Sequence, residues 1–204
     1  MEPIQIKNPS YVQLTQDRIA TKILKFGHTI FGDYVYKTLV NGDSTPNIDV
    51  VVPGVTYKYG NFNGNREGVD KLADYLTDKF KCECFDAGHL GYDDIYSVHM
   101  SCPGVSDQKE NRVTVNIYDE NPSNKGWLSP IFRLNYKAVN GKGTIVNNDG
   151  NEEDCKKTVS DMRNRKYTSW RYMNNEDKWY FNRWQWTDTN SLTYKVKLHF
   201  GFEE

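Results

Sequence analysis

The stretch 27–53, GHTIFGDYVYKTLVNGDSTPNIDVVVP, constrains the fold more than any other part of the sequence. Three consecutive valines follow Ile48 within two residues, and a β-branched run of this kind favours a buried strand. Successive side chains of a strand alternate between its two faces, so Asn47 and Asp49 share one face of that strand. The pattern predicts four pieces in order, a strand at 28–31, a turn at Gly32-Asp33, a helix at 34–40 and a strand at 48–52. Two polar side chains are therefore expected at the start of an apolar strand, beside a glycine turn.

Periodicity predicts the other elements of an α+β fold. Apolar residues recur at helical spacing over 10–26, after the candidate N-cap Ser10, and again over 68–80. The stretch 54–67 is rich in Gly and Asn and is predicted to be an exposed loop without regular structure. Further strands are predicted at 82–85, 95–102 and 112–118. This order of helices and strands predicts a sheet with helices on one side.

The chain of 204 residues is long enough for one sizeable core with a small appendage. The polar stretch 147–153 is the predicted boundary between a core at 1–146 and an appendage at 147–204. The longest apolar runs are too short to cross a bilayer, and the first ten residues lack the apolar core of a signal peptide. We therefore expect a protein that is not secreted and does not bind in a membrane.

The four cysteines contain no C-x-x-C pair and the four histidines are scattered along the chain. Structural zinc sites usually show close ligand pairs, so no zinc site is expected, and the cysteines are interpreted as reduced, structural thiols. The net charge of −1 gives no overall attraction to nucleic acid. Any binding to nucleic acid must therefore come from a local surface.

Residues 30–35, IFGDYV, and 47–49, NID, resemble the IFGGYVRD and DID motifs of the nucleotidyltransferase superfamily, in the version found in nucleotidyltransferase-like proteins of giant DNA viruses. The resemblance implies a mixed sheet flanked by helices, followed by a C-terminal pair of short helices. Alternation of polar and apolar residues predicts a closing strand at 192–200. The resemblance also implies that the glycine turn holds a triphosphate and that three carboxylates bind two metal ions. The third carboxylate comes from a late strand, at the position of Asn116. The implied location is a viral factory in the host cytoplasm, or the virion.

Several of the residues that this chemistry needs are replaced in this chain. Two-metal nucleotidyl transfer requires hard anionic oxygen ligands, but the three carboxylate positions hold Asn47, Asp49 and Asn116. Each amide forfeits on the order of 3 kcal/mol of attraction to a cation at ~5 Å and an effective dielectric constant of ~20. Asp33 stands where a small residue is expected, and its charge suits the helix dipole while repelling phosphate. We therefore expect a degenerate site, in which Asp49 is the remaining candidate metal ligand and any nucleotide contact involves Gly32 and Asp33.

These replacements predict a pseudoenzyme that needs no cofactor and is retained as a binding or structural component of a virion or complex. Its expected partners are other viral proteins or further copies of itself. The alternative is an active magnesium-dependent nucleotidyltransferase that moves a nucleoside monophosphate from an NTP to the hydroxyl of an RNA, a protein or a small molecule. In that alternative, Asp43 or Asp119 supplies a second carboxylate beside Asp49. A third interpretation makes Asp49 a polar strand residue that bonds to the neighbouring glycine turn.

The C-terminal segment 155–186 combines eight basic residues with three acidic ones and is rich in tryptophan and tyrosine. Helices are predicted at 155–167 and 177–186. Basic residues interleaved with aromatics are typical of surfaces that bind single-stranded nucleic acid and of protein interfaces. They are also typical of a small helical appendage in which the aromatics form the core and the charged residues face solvent. The sequence leaves these three interpretations open. The candidate partner-binding residues are Trp170, Arg171, Trp179, Arg183, Trp184 and Trp186.

Overall fold

A computed structural model describes residues 1–53, 55–56, 62–63, 65–90, 95–105, 108–119, 134–147 and 150–163. Within these residues the fold is mixed α+β, as the sequence predicts, with a seven-stranded mixed sheet and flanking helices. The helical elements are α1 (Tyr11–Lys25), a π-helical segment (Tyr34–Val40), α2 (Arg66–Phe80), a short 3-10 turn (Lys109–Asn111) and α3 (Glu152–Arg163). The strands are β1 (Thr29–Phe31), β2 (Asn47–Val51), β3 (Val55–Thr56), β4 (Phe62–Asn63), β5 (Glu83–Leu90), β6 (Ile95–Cys102), β7 (Val113–Tyr118), β8 (Leu134–Val139) and β9 (Lys142–Asn147).

Side chains fix the starts of both long helices. The Ser10 hydroxyl accepts a hydrogen bond from the Gln13 amide at 3.2 Å, and the Gln13 side chain accepts one from the Ser10 amide at 2.8 Å. This reciprocal capping box confirms the predicted start of α1. Helix α2 begins at Arg66, two residues before the prediction, because the Asn65 side chain accepts from the Gly68 amide at 2.9 Å.

The large sheet has the strand order β5-β6-β7-β2-β1-β8-β9. Strands β2 and β7 run parallel, and the other neighbouring pairs in this sheet run antiparallel. The side chains of Ile48, Val50, Val115 and Ile117 are fully buried in one core with residues of α1 and α2. Because strand side chains alternate, the residues between them form the opposite, polar face of the sheet.

The hairpin formed by β8 and β9 was not predicted from the sequence. Its turn contains Asn140 at φ +50° and Gly141 at φ +78°, which is the left-handed conformation that two-residue hairpin turns require. The prediction that 54–67 has no regular structure was also wrong in part, because β3 pairs with β4 there. Strand β5 extends well beyond the predicted range 82–85 because it pairs along its length with β6.

The C-terminal helix α3 packs on the sheet. The Arg163 Nε donates to the backbone oxygen of Val40 at 3.0 Å, and Cys155 Sγ lies 3.6 Å from the backbone oxygen of Ile145. The helix predicted at 155–167 is present as far as Arg163. The helix predicted at 177–186 and the strand predicted at 192–200 lie outside the described residues. The division into domains at 146/147 stays a prediction. In the part of the chain that the structure describes, no helix is both long enough and apolar enough to cross a membrane.

The interpretation of all cysteines as reduced was wrong, because Cys82 and Cys102 form a disulfide. Cys82 immediately precedes β5 and Cys102 ends β6, so antiparallel pairing places them opposite each other. No local spacing signals such a pair, since the partners are 20 residues apart. Cys84 and Cys155 are free.

This cross-link makes stability depend on reductant. Closing a loop of about 20 residues restricts the unfolded chain, so reduction is expected to lower the free energy of unfolding by about 3 kcal/mol. Urea unfolding with and without reductant measures this loss. Reductant should leave Cys102→Ala unchanged, whereas Cys84→Ala should respond as the wild type does. Finding four reactive thiols in the unreduced, unfolded protein would contradict the assignment.

Candidate functional site

The polar face of the sheet brings residues of three strands into one row. In the parallel pairing of β2 with β7, Asp49 lies opposite Asn116. In the antiparallel pairing of β7 with β6, Asn116 lies opposite His99. Residues that are far apart in sequence therefore meet at one level of the sheet, and Asn116, expected to be near Asp49, lies directly beside it.

Hydrogen bonds connect this row from β6 to β2. The Ser97 hydroxyl lies 3.0 Å from His99 Nε2, His99 Nδ1 lies 2.7 Å from Asn116 Oδ1, and Asn116 Nδ2 donates to Asp49 Oδ1 at 2.9 Å. Because Asn116 Oδ1 can only accept, the proton between the two side chains belongs to His99 Nδ1. In the neutral imidazole, Nε2 then accepts from the Ser97 hydroxyl. Each donor in the row points toward Asp49, which is the terminal acceptor.

The carboxyl group of Asp49 is nearly inaccessible, with 8% of the residue exposed. Burial raises its pKa to about 7; the hydrogen bond from Asn116 opposes this shift, and the nearby negative charge of Asp33 adds to it. Magnesium binds ionised oxygen ligands. A cation at this position would therefore have to displace a proton that Asp49 holds more tightly than an ordinary aspartate does.

The glycine turn packs closely against the side chain of Asp49. Gly32 has φ +73°, and a Cβ atom placed on it would lie 2.5 Å from Asp49 Oδ2. Both the backbone conformation and the close approach therefore require glycine at this position. This supports the third interpretation of Asp49 in part. The carboxyl group packs against the turn, but its hydrogen bond comes from Asn116.

Asp33 precedes the π-helical segment, and its side chain makes no capping hydrogen bond to it. Its carboxylate instead accepts a hydrogen bond from the Tyr36 hydroxyl at 2.5 Å and lies 3.7 Å from Lys37 Nζ. Burial and the Asp33 charge raise the pKa of Tyr36 above its usual range. The position where a triphosphate would approach the turn therefore carries a negative group that is already bonded within the protein.

Two other aspartates, Asp119 and Asp43, were considered as sources of a replacement ligand. Asp119 lies just after β7, where its Oδ1 accepts from the Tyr96 amide at 3.0 Å. Asp43 lies in the loop before β2, where its backbone oxygen accepts from the Thr38 hydroxyl. Asn47 begins β2 opposite Thr114, on the same face as Asp49. Across the described residues, no three His, Cys, Asp or Glu side chains are placed to hold a metal ion together.

His99 and Ser97 were not predicted from the sequence as members of this row. A signal was present, because polar Ser97, His99 and Ser101 alternate with apolar residues along the predicted strand 95–102. The six candidate partner-binding residues of the C-terminal segment lie outside the described residues. They are Trp170, Arg171, Trp179, Arg183, Trp184 and Trp186.

No protein-family model matches the chain, and no curated protein matches it.

Proposed function

We propose that this chain is a catalytically degenerate nucleotidyltransferase-like protein of a large DNA virus, retained as a binding or structural component. The observation that carries the proposal is the 2.9 Å hydrogen bond from Asn116 Nδ2 to Asp49 Oδ1. In a two-metal site, two carboxylates at these positions would face each other across cations. Here the amide donor takes the place of the cation, and the site is satisfied within the protein.

The strand arrangement supports the relationship to nucleotidyltransferases. The glycine turn follows β1, and β2 carries the Asn-Ile-Asp sequence. The parallel neighbour of β2 is a late strand that sets Asn116 beside Asp49. The resemblance implies that the third carboxylate position lies on a late strand, at Asn116.

The electrostatics favour a binding role over catalysis. Burial holds the pKa of Asp49 near 7, and Asp33 lies at the turn with its charge bonded to Tyr36 and Lys37. A nucleoside triphosphate without a bound cation would be repelled by the Asp33 carboxylate. The proposed partners are viral proteins or further copies of this chain, and the C-terminal segment 155–186 remains the predicted surface for them.

Calorimetric titration of ATP and GTP, with excess magnesium or manganese, tests the proposal. We expect no metal-dependent binding at millimolar nucleotide, because one buried carboxyl group with amides at positions 47 and 116 does not hold a metal pair. Asp49→Ala is expected to give the same result. Metal-dependent binding that disappears in Asp49→Ala would instead establish the active nucleotidyltransferase alternative.

A matched variant supplies the positive control. Asn47→Asp combined with Asn116→Asp restores the three carboxylates, which repel one another without a cation. Magnesium should therefore raise the thermal stability of this variant and leave that of the wild type unchanged. An equal rise in both proteins would show that the wild type already binds the ion.

A further inference from the structure

A basic cleft lies between α1 and α2, on the helix-covered side of the sheet and away from Asp49. It contains a cavity of about 150 Å³, and the segment 103–105 forms part of its lining. The Val105 amide donates to the Thr15 hydroxyl at 3.0 Å, which fixes this segment against α1. The cavity is lined by Thr15, Arg18, Lys79, Phe80, Lys81, Pro103, Gly104 and Val105.

Positive charge continues from the cavity along α1. Arg18 lines the cavity, and Lys22 and Lys25 follow it at helical spacing, so these three exposed residues lie along one side of the helix. Lys79 and Lys81 add two exposed cations from the end of α2. Three of these five basic side chains, Arg18, Lys79 and Lys81, line the cavity itself, in a chain whose net charge is only −1.

The neighbouring acidic groups neutralise little of this charge. Asp78 lies 3.5 Å from Lys79 Nζ, and both of these side chains are exposed. Lys81 Nζ donates to the backbone oxygen of Asp78 at 2.9 Å, which leaves the Lys81 charge without a carboxylate partner in that bond. Asp17 lies on the opposite flank of α1, where its charge contributes to raising the pKa of Tyr34 and of Tyr136. On α2, Asp70 accepts a hydrogen bond from the Tyr96 hydroxyl, on the flank away from α1. The cleft therefore keeps a positive excess.

Aromatic rings extend from the cavity to the open end of the cleft. Phe26, just after α1, is 49% exposed and meets Tyr75 of α2 edge to face, with the ring centres 4.7 Å apart. Tyr75 in turn lies 6.3 Å from Phe80, which lines the cavity. An exposed phenylalanine at the end of a row of lysines and arginine offers a ring on which an unpaired base can stack.

From this arrangement we propose that the basic cleft binds single-stranded nucleic acid. A backbone phosphate occupies the cavity between Arg18, Lys79 and Lys81, and an unpaired base stacks on Phe26. The cavity favours a phosphate over a flat anionic membrane, because its cations surround a concave space. A base that is stacked and paired in a duplex has no free face to offer Phe26, so a single strand is the better fit. No residue of the Asp49 row takes part, so this inference stands or falls independently of the proposed function.

Fluorescence anisotropy of a labelled single-stranded oligonucleotide, titrated with the full chain, tests the inference. Arg18→Gln combined with Lys79→Gln should weaken binding at least about tenfold and reduce the slope of log affinity against log salt by about 1.4, because each lost phosphate contact contributes about 0.7 for a single strand. Phe26→Ala should weaken binding by at least about fivefold through lost stacking. All three changed side chains are exposed, so the variants should remain folded.

Lys71→Gln is the matched control, because Lys71 is an exposed cation on α2 that pairs with Glu67 at 2.8 Å. It should bind as the wild type does. Wild-type affinity in the cleft variants would overturn the inference and direct attention to the C-terminal segment. Equal competition by an acidic polypeptide, or equal binding to anionic lipid vesicles without any effect of Phe26→Ala, would overturn it in favour of a general anion-binding surface.

Discussion

Gly32→Ala is expected to lower the free energy of unfolding by about 4 kcal/mol. Two costs contribute. An alanine at φ +73° adopts the left-handed conformation, which costs about 1–2 kcal/mol. The added Cβ would also lie 2.5 Å from Asp49 Oδ2, and overpacking of this kind costs about 1–3 kcal/mol. Urea unfolding at neutral pH measures the sum.

Gly27→Ala separates the two costs. Gly27 has φ +79°, nearly the same conformation, but a Cβ on it would meet no atom within 4 Å. It should therefore show the conformational cost alone. The double variant Gly32→Ala/Asp49→Ala removes the opposing carboxyl group and should recover part of the loss. Equal losses for Gly32→Ala and Gly27→Ala would show that Asp49 does not press against the turn.

Local patterns explain why much of the core could be predicted from the sequence. The β-branched run after Ile48, the N-cap Ser10 and the clean alternation of β7 each act over a few residues, and the corresponding elements were found. The β8–β9 hairpin also had a local signal in Asn140-Gly141, and was missed because the flanking alternation was not weighed with it. The residues that specify this hairpin are therefore visible in the local sequence.

The candidate site depends on pairing that no local pattern contains. The register of β2 with β7 sets Asn116 against Asp49, and the register of β7 with β6 sets His99 against Asn116. The same kind of non-local pairing produces the Cys82–Cys102 disulfide. The sequence could therefore identify Asp49 and Asn116 as candidates, but not the hydrogen bonds that connect them or the burial that raises the Asp49 pKa.

Because Asp49 is buried, the free energy of unfolding is expected to fall as pH rises and this carboxyl group ionises. Its pKa rises from 3.8 to about 7 on folding, so the folded protein holds this proton more tightly than the unfolded chain. The protonated carboxyl group stabilises the folded state relative to the unfolded chain. This contribution is fully present below the pKa of the unfolded chain, 3.8, and is lost as pH rises through about 7. A shift of this size corresponds to about 4 kcal/mol at most, since one pKa unit is worth about 1.4 kcal/mol.

Asp49→Asn removes this titration and keeps an oxygen that accepts from Asn116. The variant should equal the wild type near pH ~4 and exceed it in free energy of unfolding by up to about 4 kcal/mol near pH ~8. Urea unfolding of both proteins across this range measures the difference. Asp74→Asn, which removes an exposed carboxylate of α2, reports what the loss of one surface charge does.

The same comparison with magnesium added separates a buried carboxyl group from a metal ligand. An ion bound at Asp49 would stabilise its charged form, lower its pKa and erase the advantage of Asp49→Asn near pH ~8. If Asn116 takes the place of the cation, Asp49→Asn should remain more stable than the wild type near pH ~8 at millimolar magnesium. A wild type that becomes more stable than Asp49→Asn as pH rises would show that Asp49 is paired with a cation, and would remove the main physical argument for a degenerate site.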